Sequence, residues 1–153
     1  MPADTEAGIG CAEASDLPEL SALLTQLLDL EQDFTPDPER QIAGLRLMLE
    51  SPGAVLLTAK RGGRIAGFCG VQLLISTAMG GYSAQVEDLV LHPEFRRQGI
   101  GGKLLEAAAQ WAKRRGAVRL QLNCDDLNLP AQSFYARHGW ERTHLYNYFK
   151  FDF

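Results

Sequence analysis

Cysteine is scarce: Cys11, Cys69 and Cys124 are the only three in a chain of 153 residues. An odd number with no close spacing excludes a disulfide framework and a zinc-ribbon pattern, and no metal site is expected. Reduced thiols fit a cytoplasmic location. Positive charge is not in surplus: 15 Lys and Arg stand against 19 Asp and Glu, a formal net charge of −4. That balance argues against broad nucleic-acid binding and tolerates cationic partners. Long apolar runs are missing, so no segment approaches the length needed to span a membrane. The first six residues are acidic and lack the apolar core of a signal peptide. What is present is ordinary for a globular protein, 46% hydrophobic and 22% charged residues. The length favours one domain, 1–153, able to bury a core without staples.

Val86 to Leu91 is an apolar, β-prone run that Pro93 ends. Arg96, Arg97, Gln98, Gly99, Ile100, Gly101, Gly102 and Lys103 follow, placing cations and three glycines where a helix begins. The first amides of a helix have no partner inside it and carry partial positive charge. Glycine lets a phosphate approach the backbone closely. The turn is therefore a candidate pyrophosphate cradle. Its spacing excludes a nucleotide-triphosphate P-loop, because Lys103 is followed by Leu104. It also departs from the dinucleotide fingerprint, because Leu104 stands where the third glycine belongs. What remains is Arg96-x-x-Gly99-x-Gly101.

The rest of the chain surrounds this turn. Gly8 to Ala12 reads as a short strand. A capping-box-like start at Asp16-x-x-Glu19 opens a leucine-rich helix to about Leu30. Asp37 caps a second helix, with Pro38 in its first turn and Ile42, Leu45 and Leu49 as its buried stripe. Ala54–Ala59, Ile65–Ile75 and Ser83–His92 read as an antiparallel meander. After the cradle, Ile100, Leu104, Ala108 and Trp111 share one face of an amphipathic helix that Gly116 ends. Val118–Asn123 is the next strand, and a strand–helix–strand order favours a parallel pair. Asn128 caps a short helix ending at Gly139, and Asn128, Ala131 and Tyr135 share one face of it. Trp140–Phe153 alternates in aromatic residues, as a closing hairpin or edge strand would.

The two blocks together resemble the signatures of the GNAT superfamily of acetyl-CoA-dependent N-acetyltransferases. The first is Gln/Arg-x-x-Gly-x-Gly/Ala. The block from Asn128 to Trp140 looks like the second, Asn-x-x-Ala-x-x-Phe/Leu-Tyr-x-x-x-Gly-Phe, with Trp140 in place of the final Phe. The resemblance implies an α/β fold: a mixed, mostly antiparallel sheet with a splayed parallel strand pair, flanked by about four helices. It implies acetyl-CoA as cosubstrate, held by Arg96 to Lys103, by Asn128, Ala131 and Tyr135, and by backbone at Leu89, Val90 and Leu91. It assigns Tyr135 as general acid to the leaving thiolate.

Transfer of acetyl to an amine requires a deprotonated amine, a polarised thioester carbonyl and a stabilised thiolate. Unpaired amides at Leu89 to Leu91 could hold the thioester arm and face its carbonyl oxygen. A free phenol, near pKa 10, gives its proton to a thiolate, near 8.5, at a cost of about 2 kcal/mol, so Tyr135 is expected to act mainly as a hydrogen-bond donor. Glu87 is the expected general base, directly or through a water. Glu87 and Asp88 should point to opposite sheet faces unless a bulge intervenes. His92, before Pro93, reads as structural. The expected acceptor is a small cationic amine. A protein lysine or N-terminus, or a non-catalytic acyl-CoA-binding module, remains the alternative, and a homodimer is left open.

Overall fold

The computed structural model describes residues 6–153. The N-terminal stretch through Thr5, expected not to be a signal peptide, lies outside the described residues. Contacts divide the chain into two compact units, one ending at Leu122 and the other spanning Asn123–Phe153.

The first unit is a five-stranded sheet in the order β1-β2-β3-β4-β5. Its strands are β1 (Gly8–Cys11), β2 (Ala54–Arg61), β3 (Arg64–Ser76), β4 (Gly81–Leu91) and β5 (Ala117–Leu122). The first four pair antiparallel, and β4 pairs with β5 in parallel, as the element order requires. Two helices between β1 and β2, α1 (Leu17–Leu30) and α2 (Pro38–Glu50), pack together. A third, α3 (Ile100–Arg114), joins β4 to β5. The α1 leucines Leu17, Leu20, Leu23 and Leu24 form a core cluster with Leu45 of α2 and Leu56, Phe68 and Val90 of the sheet. On α3, Ile100, Leu104, Ala108 and Trp111 are buried, so its apolar stripe faces inward as the periodicity predicts.

Two local expectations change. Asp16 does not cap α1 with its side chain. Its carboxylate instead accepts from the Glu13 amide at 2.9 Å and pairs with Lys60 of β2 at 2.9 Å. Burial would raise the Asp16 pKa, but the amide and the ammonium outweigh it and hold it below the usual value. Asp37 does cap α2, accepting from Arg40 N at 3.1 Å. Gln41, beside the predicted apolar stripe, is buried as well. Its Nε2 donates to Ser21 O at 2.9 Å and Thr25 Oγ1 at 3.0 Å, while its Oε1 accepts from Asp37 N at 2.8 Å. One satisfied amide thereby ties α2 to α1.

The second unit holds α4 (Leu129–Arg137) and the C-terminal segment. Asn128 caps α4 through Ala131 N at 3.1 Å, and Gly139 takes φ +82 beyond its end, both as predicted. The expected closing hairpin or edge strand is not there: residues 140–153 form no strand. Alternation makes a strand only where its backbone groups find a ladder partner. Leu145, Tyr146, Tyr148, Phe151 and Phe153 all stand exposed.

Candidate active site

The site is built on the second half of β4. Parallel pairing with β5 runs from Tyr82 to Val86 and stops there. On the other side, β3 stays paired as far as Leu91. His92 N donates to Ala66 O at 2.8 Å, which fixes the alternation along the strand. The N–H groups of His92, Val90 and Asp88 face β3, and those of Leu89 and Leu91 point away from it. The open edge thus presents two amides, at Leu89 and Leu91. Val90, grouped with them from sequence, faces its amide inward and packs its side chain in the core.

Where β5 pairing ends, β4 carries a bulge. Gly70 lies opposite Asp88 and Val71 opposite Val86, so Glu87 is the extra residue. The register puts Asp88 beside Gly70 on the face that holds Leu56, Phe68 and Val90, under α1 and α2. Gln72 points to that same face, and its Nε2 donates to Glu87 Oε2 at 3.2 Å. The bulge therefore turns both carboxylates to one side. Glu31, which closes α1, adds a third negative charge. Burial first, then repulsion from Glu87 and Glu31, pushes the Asp88 carboxyl up to about 7. Asp88 is half-buried and Glu87 is exposed.

Past Leu91, the chain makes a short 3-10 turn, Pro93–Phe95, where His92 Nδ1 accepts from Glu94 N at 3.2 Å. His92 is thus engaged in the local structure, as its place before Pro93 predicts. The glycine turn follows. Arg97 (φ +60) and Gly99 (φ +77) both adopt left-handed backbone, and Gly99 is the N-cap of α3. A cap without a side chain leaves the leading amides of Ile100, Gly101 and Gly102 without a side-chain acceptor among the described residues. The side chains around them are partly committed. Gln98 accepts from Arg61 and donates to Glu94 O at 3.2 Å, bracing the turn. Lys103 pairs with Glu6. Arg96 and Arg97 are exposed.

In the second unit, Asn128, Ala131 and Tyr135 line one face of α4 as the spacing predicts. The Tyr135 ring packs against Phe134 and Trp140, with centroids at 5.4 and 5.8 Å, and Trp140 N donates to Tyr135 O at 3.0 Å. Among the described residues, no group of His, Cys, Asp and Glu could hold a metal ion. Burial, then the Asp88 charge, pushes the Cys69 thiol up to about 12, which makes it a poor nucleophile.

Comparison with known proteins agrees with this geometry. The acetyltransferase (GNAT) family model matches residues 24–140. A Bacillus subtilis protein named for N-acetylation of an alanine of ribosomal protein bS18 is 32% identical over 94 residues, 61% of this chain and 58% of that protein. An aminoalkylphosphonate N-acetyltransferase of Salmonella typhimurium is 26% identical over 88% of this chain and 84% of its own length. The solved structure of a protein from Bacillus halodurans C-125, described as a transcriptional regulator, superposes with a TM-score of 0.83 at 26% identity. It covers 95% of this chain and 99% of that one.

Proposed function

Because the chain belongs to the GNAT acetyltransferase family, we propose that it moves an acetyl group from acetyl-CoA to the primary amine of a small cationic acceptor. The transfer is direct, within a ternary complex. One observation carries this reading: a strand edge with two outward amides, Leu89 and Leu91, leads through a short turn to a helix whose first amides meet no side-chain cap among the described residues. An extended thioester arm ending in a diphosphate fits that sequence of donors. The diphosphate would lie on Ile100, Gly101 and Gly102, with Arg96, Arg97 and Lys103 around it. The arm would lie along Leu89 and Leu91, with one amide polarising the thioester carbonyl.

The acceptor reading rests on the carboxylates. Glu31, Glu87 and Asp88 give the α1–α2 side of β4 a negative potential that favours an ammonium. Asp88 is the better proton acceptor of the strand pair, because a carboxyl raised to about 7 is matched to neutral pH. Glu87, the residue favoured from sequence, serves Asp88 by its charge. In the step, the ammonium gives a proton to Asp88 and its nitrogen lone pair attacks the carbonyl carbon. The N–C bond forms and the C–S bond breaks. The second proton of the nitrogen passes to the departing sulfur, so coenzyme A leaves as the free thiol, with Tyr135 donating a hydrogen bond to that sulfur as it departs. The two relatives act, by name, on an alanine of a ribosomal protein and on an aminoalkylphosphonate, both amine acceptors.

The test is an amine panel assayed for thiol release that depends on acetyl-CoA, with thermal shift as the binding readout. Turnover of at least one primary amine and stabilisation by acetyl-CoA are expected. Stabilisation without turnover of any amine, protein substrates included, would leave an acyl-CoA-binding module. Tyr135→Phe sharpens the distinction: it should lower kcat by about tenfold or more while the acetyl-CoA thermal shift stays unchanged.

A further inference from the structure

Beside the carboxylates lies a groove of about 390 Å³. Leu47 and Met48, from the last turns of α2, form one wall, and Ala54, Gln72 and Leu73 form its floor. Its inner end reaches the site through Gln72, while Met48 closes over Gly70. The Met48 sulfur sits 3.1 Å from where a β-carbon on Gly70 would stand, and Gly70 is the residue paired across from Asp88. Gln72, on the floor, holds Glu87 by the 3.2 Å hydrogen bond. Gly70 and Gln72 are two residues apart on one strand face, a span of about 7 Å. None of the residues lining the groove is charged.

We infer that this groove seats the stem of the acceptor, and that the acceptor is a primary amine on an unbranched apolar chain. This rests on the acetyltransferase reading above. The charge pattern selects the occupant. An ammonium at the inner end would lie beside Gln72 and the Glu87 carboxylate it holds, with Asp88 next along the same face. A second cation further along the stem, as in a polyamine, would meet Leu47, Met48 and Leu73 with no carboxylate to pair it. A stem dense in hydroxyls, as in an aminosugar, would find only two polar side chains in the groove, Ser51 and Gln72, and both are already engaged, Ser51 Oγ by Gly53 N and Gln72 Nε2 by Glu87. A hydrocarbon stem loses nothing there and gains by burial.

The experiment measures kcat/KM at saturating acetyl-CoA for n-alkylamines from propylamine to octylamine, beside spermidine and glucosamine. The expected result is a rise of about two- to fourfold per methylene until the groove is filled, with hexylamine above both spermidine and glucosamine. Leu47 is 71% exposed, so Leu47→Asp should fold, and it should collapse the hexylamine-to-propylamine ratio by tenfold or more. A flat or falling series, a preference for spermidine, or an unchanged ratio in Leu47→Asp overturns the groove assignment and leaves the acetyltransferase reading standing. No turnover of any of these amines, with acetyl-CoA still stabilising the protein, overturns the groove assignment and the small-amine acceptor together.

Discussion

From Tyr82 to Val86, β4 has a strand on each side; from Glu87 to Leu91 it has, among the described residues, β3 alone. The first half does what a central strand does: Ser83, Ala84 and Val86 are buried and the ladders are closed. The second half keeps one ladder for stability and frees the other edge. It also takes up the extra residue that brings two carboxylates to one face. A single strand thus passes from scaffold to site within about six residues. The change needs only the end of one pairing and the insertion of Glu87.

That comparison can be broken most sharply at Asp88. Asp88→Asn should lower kcat by about 10² to 10³ near neutral pH, the scale of a lost general base, with the acetyl-CoA thermal shift retained. It should also remove a pH dependence of stability. The folded-state pKa of Asp88 is raised from 3.8 to about 7, so the folded state holds that proton more tightly. The contribution is complete below about pH 4 and is lost as the pH rises through about 7. Melting curves should therefore match wild type near pH 4 and lie above it near pH 8.

A smaller effect separates the two halves by packing. A β-carbon on Gly67 would stand 2.6 Å from Leu91 Cδ2 and 2.7 Å from Val90 O, against the open half. On Gly81, at the paired end, it would meet nothing within 4 Å. Gly67→Ala should cost about 1–3 kcal/mol in denaturant unfolding and Gly81→Ala close to nothing. The mildest change is Glu87→Gln. Removing a neighbouring negative charge lowers the Asp88 pKa, so the acid limb of kcat/KM should move to lower pH while the pH-independent maximum changes little. Loss of activity at all pH values would instead return the proton-accepting role to Glu87.

Much of this was legible from spacing. The strand, the basic glycine turn and the helix after it sit at contiguous positions, and local chemistry forms each one. Gly99 suits a left-handed cap, Asn128 a helix start, and the Ile100–Trp111 stripe a buried face. The features missed are set by distant partners. The bulge at Glu87 depends on where β3 places Gly70 and Val71, so sequence could state it only as a condition. Gln41 reads as an ordinary polar helix residue until Ser21 and Thr25 arrive beside it. Lys103 reads as a ready cation, but Glu6, 97 positions away, already pairs with it. The aromatic alternation after Trp140 shows a strand's preference, and preference does not supply an edge to receive it.

The burial of Cys69 bears on how the enzyme can be assayed. Cys11 and Cys124 are exposed, whereas Cys69 is sealed in the sheet with its ionisation suppressed. A colorimetric sulfhydryl reagent added to follow coenzyme release will register two protein equivalents as a prompt background. A third equivalent, emerging slowly, would be an internal alarm that the preparation is losing its fold.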